Sequence, residues 1–249
     1  MKKVVVLVIA LWFTNASAQT DSVFSIEPQS SENVILETYQ PPPKKRQLPQ
    51  VVLKANAGYG RRIGIISDEL SSYQKDFFTH LMSGFTWDVS CDFFFKDKFG
   101  IRAIFYQYRT SHSELGYNLD TGKDGILNVK DQISYFGPAF VFRLPFGHNS
   151  WRFDAHAGMG YLECRDKQTF AKDYLSFYGA TLGTQMGAGL EYKISPQLGV
   201  GINVLITSGT INTFHYDKNG VKSTKTYEID KGEGLFQIKI GAGIRYYIK

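Results

Sequence analysis

The sequence predicts an all-β fold, an eight-stranded antiparallel up-and-down β-barrel, on three observations. Apolar and polar side chains alternate with a period of two in segment after segment. Phe, Tyr and Gly are abundant, with 19, 15 and 24 copies in 249 residues, a mixture suited to strands that pack their backbones closely. Short connections alternate with long ones along the chain. The hydrophobic share of 43% is dispersed, so no stretch past residue 12 approaches the roughly 18 apolar residues that a membrane-spanning helix needs.

Residues 1–18 read as a signal peptide. Lys2 and Lys3 precede an apolar run from Val4 to Phe13, and the small residues Ala16, Ser17 and Ala18 place cleavage before Gln19. Residues 19–50 lack periodicity and end in Pro41-Pro42-Pro43-Lys44-Lys45-Arg46, then Pro49. Proline removes backbone donors and favours an extended chain, so this is a tail or spacer. Its three consecutive basic residues leave a docking role open, for a partner protein or for acidic headgroups. The formal charge of +5 falls to +3 without Lys2 and Lys3, too diffuse a balance to imply nucleic acid.

The barrel occupies residues 51–249. In the first strand, about 51–62, Lys54, Asn56, Gly58, Gly60 and Arg62 share a face. In the second, Leu81, Phe85, Trp87, Val89, Cys91 and Phe93 oppose Gly84, Thr86, Asp88, Ser90 and Asp92. The third, about 99–110, is partly apolar on both faces. Arg102 is assigned inward there because a lone charge facing lipid costs up to about 2 to 4 kcal/mol at midplane. Phe136, Phe140, Phe142 and Leu144 share a face of the fourth, about 132–144, and in the fifth Trp151, Phe153, Ala155, Ala157, Met159 and Tyr161 oppose Arg152, Asp154, His156, Gly158 and Gly160. Segments 182–194 and 198–206 repeat the pattern. The last, Leu235 to Ile248, sorts Phe236, Ile238, Ile240, Ala242, Ile244, Tyr246 and Ile248 from Gln237, Lys239, Gly241, Gly243, Arg245 and Tyr247.

Alternation alone does not say which face points outward. The polar face is dominated by Gly with isolated charges of both signs, which suits a narrow filled interior and not a solvated exterior rich in Lys, Glu and Thr. Strands of about 12 to 15 residues suit a tilted bilayer crossing. The connections near Lys96-Asp97-Lys98, Pro145 to Asn149 and Ser195-Pro196-Gln197 are short and the others long, the asymmetry of barrels in a bacterial outer membrane with short periplasmic turns. The expected location is therefore that membrane, with the tail in the periplasm. Asp217-Lys218-Asn219-Gly220 reads as a hairpin tip in the last long connection.

The candidate site is a set of inward charges: Asp88, Asp92, Arg102, Arg152, Asp154, Glu191, Lys239 and Arg245. Side chains just fill an eight-stranded barrel, so a mixed ion-pair network acting as a structural plug is the expected arrangement, with Tyr106, Tyr135 and Tyr247 occupying remaining space. A narrow path for ions or solutes is the alternative. An enzyme hydrolysing lipids or peptides is another. His156 lies two positions from Asp154, and Ser111 and Ser113 flank His112, but no spacing ties a nucleophile to a base, and His80 and His215 sit in loop-like surroundings. The chain is read as not an enzyme. Cys91 and Cys164 fall at opposite ends of different strands, too far apart to pair. Asp120 to Gly125 lacks the spacing of a calcium loop and reads as a turn, and no zinc or phosphate-loop pattern occurs, so no cofactor or metal is expected.

A signal peptide, eight alternating strands and a strand-terminated chain resemble the small OmpA/OmpX-type outer-membrane barrels, and especially the Bacteroidetes outer-membrane β-barrel proteins that include the PorT family. The resemblance spans residues 51–249 and rests on Phe99-Gly100-Ile101-Arg102-Ala103 after a short turn and on Ile240-Gly241-Ala242-Gly243-Ile244-Arg245-Tyr246-Tyr247 at the end. The chain departs from the usual aromatic terminus, since Ile248 and Lys249 follow Tyr247. The resemblance implies a porin-like outer-membrane barrel of structural or interaction type, with a role in protein secretion through a periplasmic or secretion-machine partner. Its other implied partners are outer-membrane lipids and, during biogenesis, the barrel-insertion machinery.

Overall fold

The structure is a computed structural model that describes residues 50–64, 72–118, 123–148, 150–170, 173–228 and 232–248. The expected signal peptide, nearly all of the proline-containing tail, and Asp120 to Gly122 of the expected turn lie outside the described residues. The rest is antiparallel β-structure with one helix: β1 (Val51–Arg62), α1 (Ser72–Leu81), β2 (Ser83–Phe94), β3 (Phe99–Asn118), β4 (Lys123–Phe146), β5 (Trp151–Phe170), β6 (Asp173–Lys193), β7 (Leu198–Ser208), β8 (Thr210–Ile211), β9 (Thr213–Lys218), β10 (Val221–Thr226), β11 (Glu233–Gly234) and β12 (Gln237–Ile248).

Pairing runs from each of β1 to β7 to the next, then from β7 to β12 and from β12 back to β1, so the sheet closes on itself. β1 and β12 pair along their whole length, from Val51 opposite Ile248 to Arg62 opposite Gln237. The described residues form twelve strands where the alternation suggests eight. The four short ones, β8 to β11, fall in the excursion between β7 and β12 and stand outside the closed circuit, with β9 adding to the upper part of β6 and β10 to β9. β8 and β11 pair only with each other.

Three sequence expectations need correction. Most of the long connections are strand. β3 to β6 run for 20, 24, 20 and 21 residues, and only residues 119–122 and 171–172 lie between their paired upper arms. Their upper halves are polar on the outer face, and without an apolar partner face the alternation fades into what looks like loop. Pro145 and Phe146 belong to β4 and not to the turn that follows. Leu81 does not lie on the outer face of a strand. It closes α1, where it is buried with Phe77 against Val129 of β4.

The burial pattern confirms the face assignments. On β12, Gln237, Lys239, Arg245 and Tyr247 are buried while Ile240, Ile244, Tyr246 and Ile248 are exposed, and β2, β5 and β7 follow suit. Phe85, Phe140, Leu182, Met186, Ile202 and Ile240 are more than half exposed on the outside, whereas Arg245 and Lys239 inside are each 1% exposed. This inverts the usual soluble arrangement. Close backbone approach demands glycine at points of contact across the sheet. A Cβ on Gly58 would lie 2.1 Å from the Ile240 carbonyl oxygen, and one on Gly158 the same distance from that of Pro138. Pro138 has no N–H to give the ladder, and the β4–β5 pairing skips Gly137 and Pro138 before resuming at Ala139.

Candidate functional site

The interior is stratified along the barrel axis. At the end with the short turns, Val52, Phe94, Val141 and Tyr247 form an apolar cap. Arg143 stacks over Phe94 at 3.6 Å and donates from Nε to the Asp97 carbonyl at 2.7 Å. Above this cap lies a charged layer. Beyond that, Ile104, Tyr106, Tyr108, Ile133, Tyr135, Leu162 and Leu205 form a second, thicker apolar layer. A cavity opens above it at the end with the long strands.

The charged layer exists because inward positions fall every second residue on each strand, so polar side chains from all sides of a narrow ring must meet. Arg102 of β3 makes a two-pronged contact with Asp92 of β2, at 2.5 Å from Nε and 2.8 Å from Nη2, and reaches Asp154 of β5 at 2.8 Å. Arg245 of β12 pairs with Glu191 of β6 at 3.3 Å and donates to the Asn56 carbonyl oxygen at 2.6 Å. Asn56 in turn donates to Asp88 at 2.6 Å, and Lys239 forms an ion pair with that same carboxylate. Seven of the eight expected residues thus fall into one connected set. The cation that connects them was absent from that set: Lys54 of β1 sits 3.2 Å from Asp92 and 3.1 Å from Asp154, and pairs closely with Glu191. Its signal was present in the sequence, since it shares the inward face with Asn56 and Gly58.

Arg152 is the exception. It is inward and 3% exposed, yet among the described residues no carboxylate lies within ion-pair distance of it. Its guanidinium stacks on Tyr247 at 4.2 Å instead. His156, expected as a polar core histidine, meets an Arg102 nitrogen at 2.7 Å. Tyr106, Tyr135 and Tyr247 are buried as expected, and Tyr106 donates to Gln237 at 2.9 Å. These contacts hold charges in place. They supply no nucleophile and base in register.

Of the histidines near the open end, two lie together and one stands apart. His80 on α1 lies edge-on to His112 of β3 at 4.7 Å, and His215 of β9 contacts the Thr224 hydroxyl at 3.0 Å. Both cysteines are free, Cys91 exposed on the outer face and Cys164 buried inside.

The cavity at the open end has a volume of about 410 Å³ in one lobe, lined by Arg62, Asp131, Cys164, Asp166 and Glu233 together with aromatic side chains. Asp131 of β4 and Asp166 of β5 are direct cross-strand partners. Arg62 at the end of β1 donates to Asp131 at 2.5 Å and to Glu233 at 2.8 Å. Burial opposes the Arg62 charge, but Asp131 and Glu233 together raise its pKa above the ordinary guanidinium value. Burial raises the Asp131 pKa even with Arg62 beside it, and burial together with Asp131 pushes Asp166 up to about 7. Burial also pushes the Cys164 thiol up, which removes it from consideration as a ready nucleophile. Sequence reading missed this site because its residues come from β1, β4, β5 and the β7–β12 excursion, and Asp131 and Asp166 lie in segments that read as loop.

No family model matches the sequence, and no curated protein matches it. Among solved structures, the chain is similar to a major outer membrane protein from Thermus thermophilus, with a TM-score of 0.52 and 14% identity, over 79% of this chain and 98% of that one. Neisserial surface protein A aligns over 81% of this chain and 99% of its own at 11% identity and a TM-score of 0.45. Ail, the attachment invasion locus protein of Yersinia pestis, aligns over 79% and 99% at 14% identity and 0.46. Identity this low speaks to fold and not to activity; the Thermus likeness and the strand pairings together establish a closed antiparallel β-barrel.

Proposed function

We propose that the protein is an integral outer-membrane barrel of structural or interaction type, whose eight circuit strands cross the bilayer and whose lumen is plugged. One observation carries this reading: the ring is apolar outside and encloses a buried charged layer whose ions, Arg152 apart, are paired across strands. A hydrocarbon exterior rewards that inversion, and water does not. About ten residues suffice for a tilted crossing, so β3 to β6, at 20 to 24 residues, project well beyond it. Outward Arg109, Gln132, Glu163 and Arg165 mark the upper limit of the apolar band. The short-turn end would then face the periplasm together with the expected 19–50 tail, after removal of residues 1–18, and the projecting strands would face outward.

The stratified interior argues against the channel alternative, because two apolar layers and a compact ion network block the axis. Purified protein in planar bilayers should insert without discrete conductance steps, and Arg245→Glu should not create an ordered channel. Stable unitary currents from the wild-type protein would overturn the plug. The secretion role implied by the PorT resemblance rests on the sequence pieces quoted above. Crosslinking in cells, followed by identification of the attached proteins, tests it, and a barrel that crosslinks to nothing counts against it.

A further inference from the structure

Two like charges face each other at the floor of the open-end cavity. Asp131 and Asp166 are opposite one another across β4 and β5, an arrangement that is unfavourable in a sheet unless something positive lies between or above them. Arg62 supplies one positive charge, but it is already shared between Asp131 and Glu233. Three carboxylates therefore line this cavity with one guanidinium, which pairs with two of them. Asp166 is left over: its Oδ2 accepts from Gln168 at 3.3 Å, and its Oδ1 is buried with no hydrogen-bond partner among the described residues. Among those residues no group of three or more His, Cys, Asp or Glu side chains is placed to hold a metal ion.

The walls say what kind of cation would fit. Phe177 and Tyr216 meet edge to face at 4.9 Å, Phe214 lies 6.4 Å from Tyr216, and all three line the cavity. Aromatic faces beside an unneutralised carboxylate attract an ammonium group both through its charge and through the ring quadrupole. Lys225 already shows the contact on the neighbouring ring, its Nζ 4.8 Å over Tyr227. A second lobe of about 640 Å³ shares Arg62, Asp131, Asp166 and Glu233 and continues between Leu81, Met82, Val129 and Phe236. Away from those shared charges its walls are mostly apolar. The floor beneath both is closed by the buried tyrosine and leucine layer, so the cavity is blind.

We propose that this cavity is a binding site for a small organic amine, with its ammonium group on Asp166 against the Phe177 and Tyr216 rings and its apolar body in the lobe lined by Leu81, Val129 and Phe236. The site needs only the cavity and does not rest on the membrane reading. Asp166 must be ionised to hold the amine. The groups that set its charge are Asp131, Glu233 and Arg62, with Gln168 as its hydrogen-bond donor, and its pKa near 7 makes affinity rise as pH rises through that value.

The test uses refolded full-length protein in detergent micelles, titrated with 2-phenylethylamine by calorimetry, with 2-phenylethanol and protein-free micelles as controls. The expected result is saturable one-site binding of the amine, no saturable binding of the alcohol, and affinity several-fold higher at pH 8 than at pH 6. Asp166→Asn should weaken binding at least tenfold, and Phe177→Leu several-fold, while both variants keep the wild-type circular dichroism and melting behaviour. Equal uptake of amine and alcohol, or unchanged affinity in Asp166→Asn, overturns the proposal. A conducting barrel that still binds the amine would overturn the plug and leave this site standing.

Discussion

Lys54 shows how much a single side chain can carry in a closed interior. It neutralises parts of Asp92, Asp154 and Glu191 at once, and Arg102 and Arg245 complete their shells. Removing one partner of a buried ionic set leaves uncompensated charge, which costs about 3 to 5 kcal/mol. Lys54→Met is therefore expected to lower the urea midpoint of the refolded protein by that order of free energy. Adding Glu191→Gln should recover part of the loss, because the double change removes one negative charge along with the positive one. If the double variant is no more stable than the single one, the coupling is wrong. Most of this site was legible from alternation alone, which correctly turned Asp88, Asp92, Arg102, Asp154, Glu191, Lys239 and Arg245 inward. Alternation shows which way a residue points and not which neighbours it reaches. That is why Arg152 was grouped with carboxylates when its contact is the Tyr247 ring, and why Lys54 was read as a face-mate of glycines.

At the scale of elements, the turn between β9 and β10 shows how much local sequence sets, although β9 also pairs with β6. Asn219 and Gly220 take φ of 52° and 88°, the left-handed pair that a two-residue hairpin turn requires, and Asp217 accepts a hydrogen bond from the Gly220 N–H at 2.9 Å. A Cβ at Gly220 would meet nothing within 4 Å. The cost of Gly220→Val is thus confined to backbone strain, about 1 to 2 kcal/mol. Hydrogen exchange should speed up across Thr213 to Thr226 and stay unchanged across the β1–β12 seam; faster exchange at the seam would show that the hairpin is coupled to the barrel. This turn was readable from four residues. The upper arms of β3 to β6 were not, because Arg109, Lys130, Arg165 and Lys167 interrupt the outer face with charge just where the strands leave the apolar band. Helix α1 was hidden for a related reason. Ser72 to Leu81 is short, and its buried apolar contact with the barrel is made by Phe77 and Leu81 against Val129.

At the scale of the whole molecule, the inversion of polarity makes the decisive prediction. Ile202 lies midway along β7 on the outer face and is 58% exposed, while Val221, at 72%, lies on the projecting hairpin. In a bilayer Ile202→Arg should reduce folding stability by about 2 to 4 kcal/mol, whereas Val221→Arg should be near neutral. Folding titrations into lipid vesicles measure both. Equal, small effects would mean that the outer face of β7 is not in hydrocarbon, and the membrane assignment would fail. The fold class was visible early because a barrel repeats the same two-residue rule in every wall. The cavity at the open end obeys no such rule, being assembled from chain segments that meet only once the ring is complete.

The seam between β1 and β12 sets a timetable. The first and last strands of the ring are matched along their full length, from Val51 opposite Ile248 to Arg62 opposite Gln237. Contacts between such distant parts of a chain are the slowest kind to form. Until Gln237 to Ile248 has been synthesised, β1 and β7 have unsatisfied edges that invite wrong partners. The ring therefore cannot be finished piece by piece as the chain emerges. It has to be kept open, and kept from aggregating, until the final strand is delivered to the first.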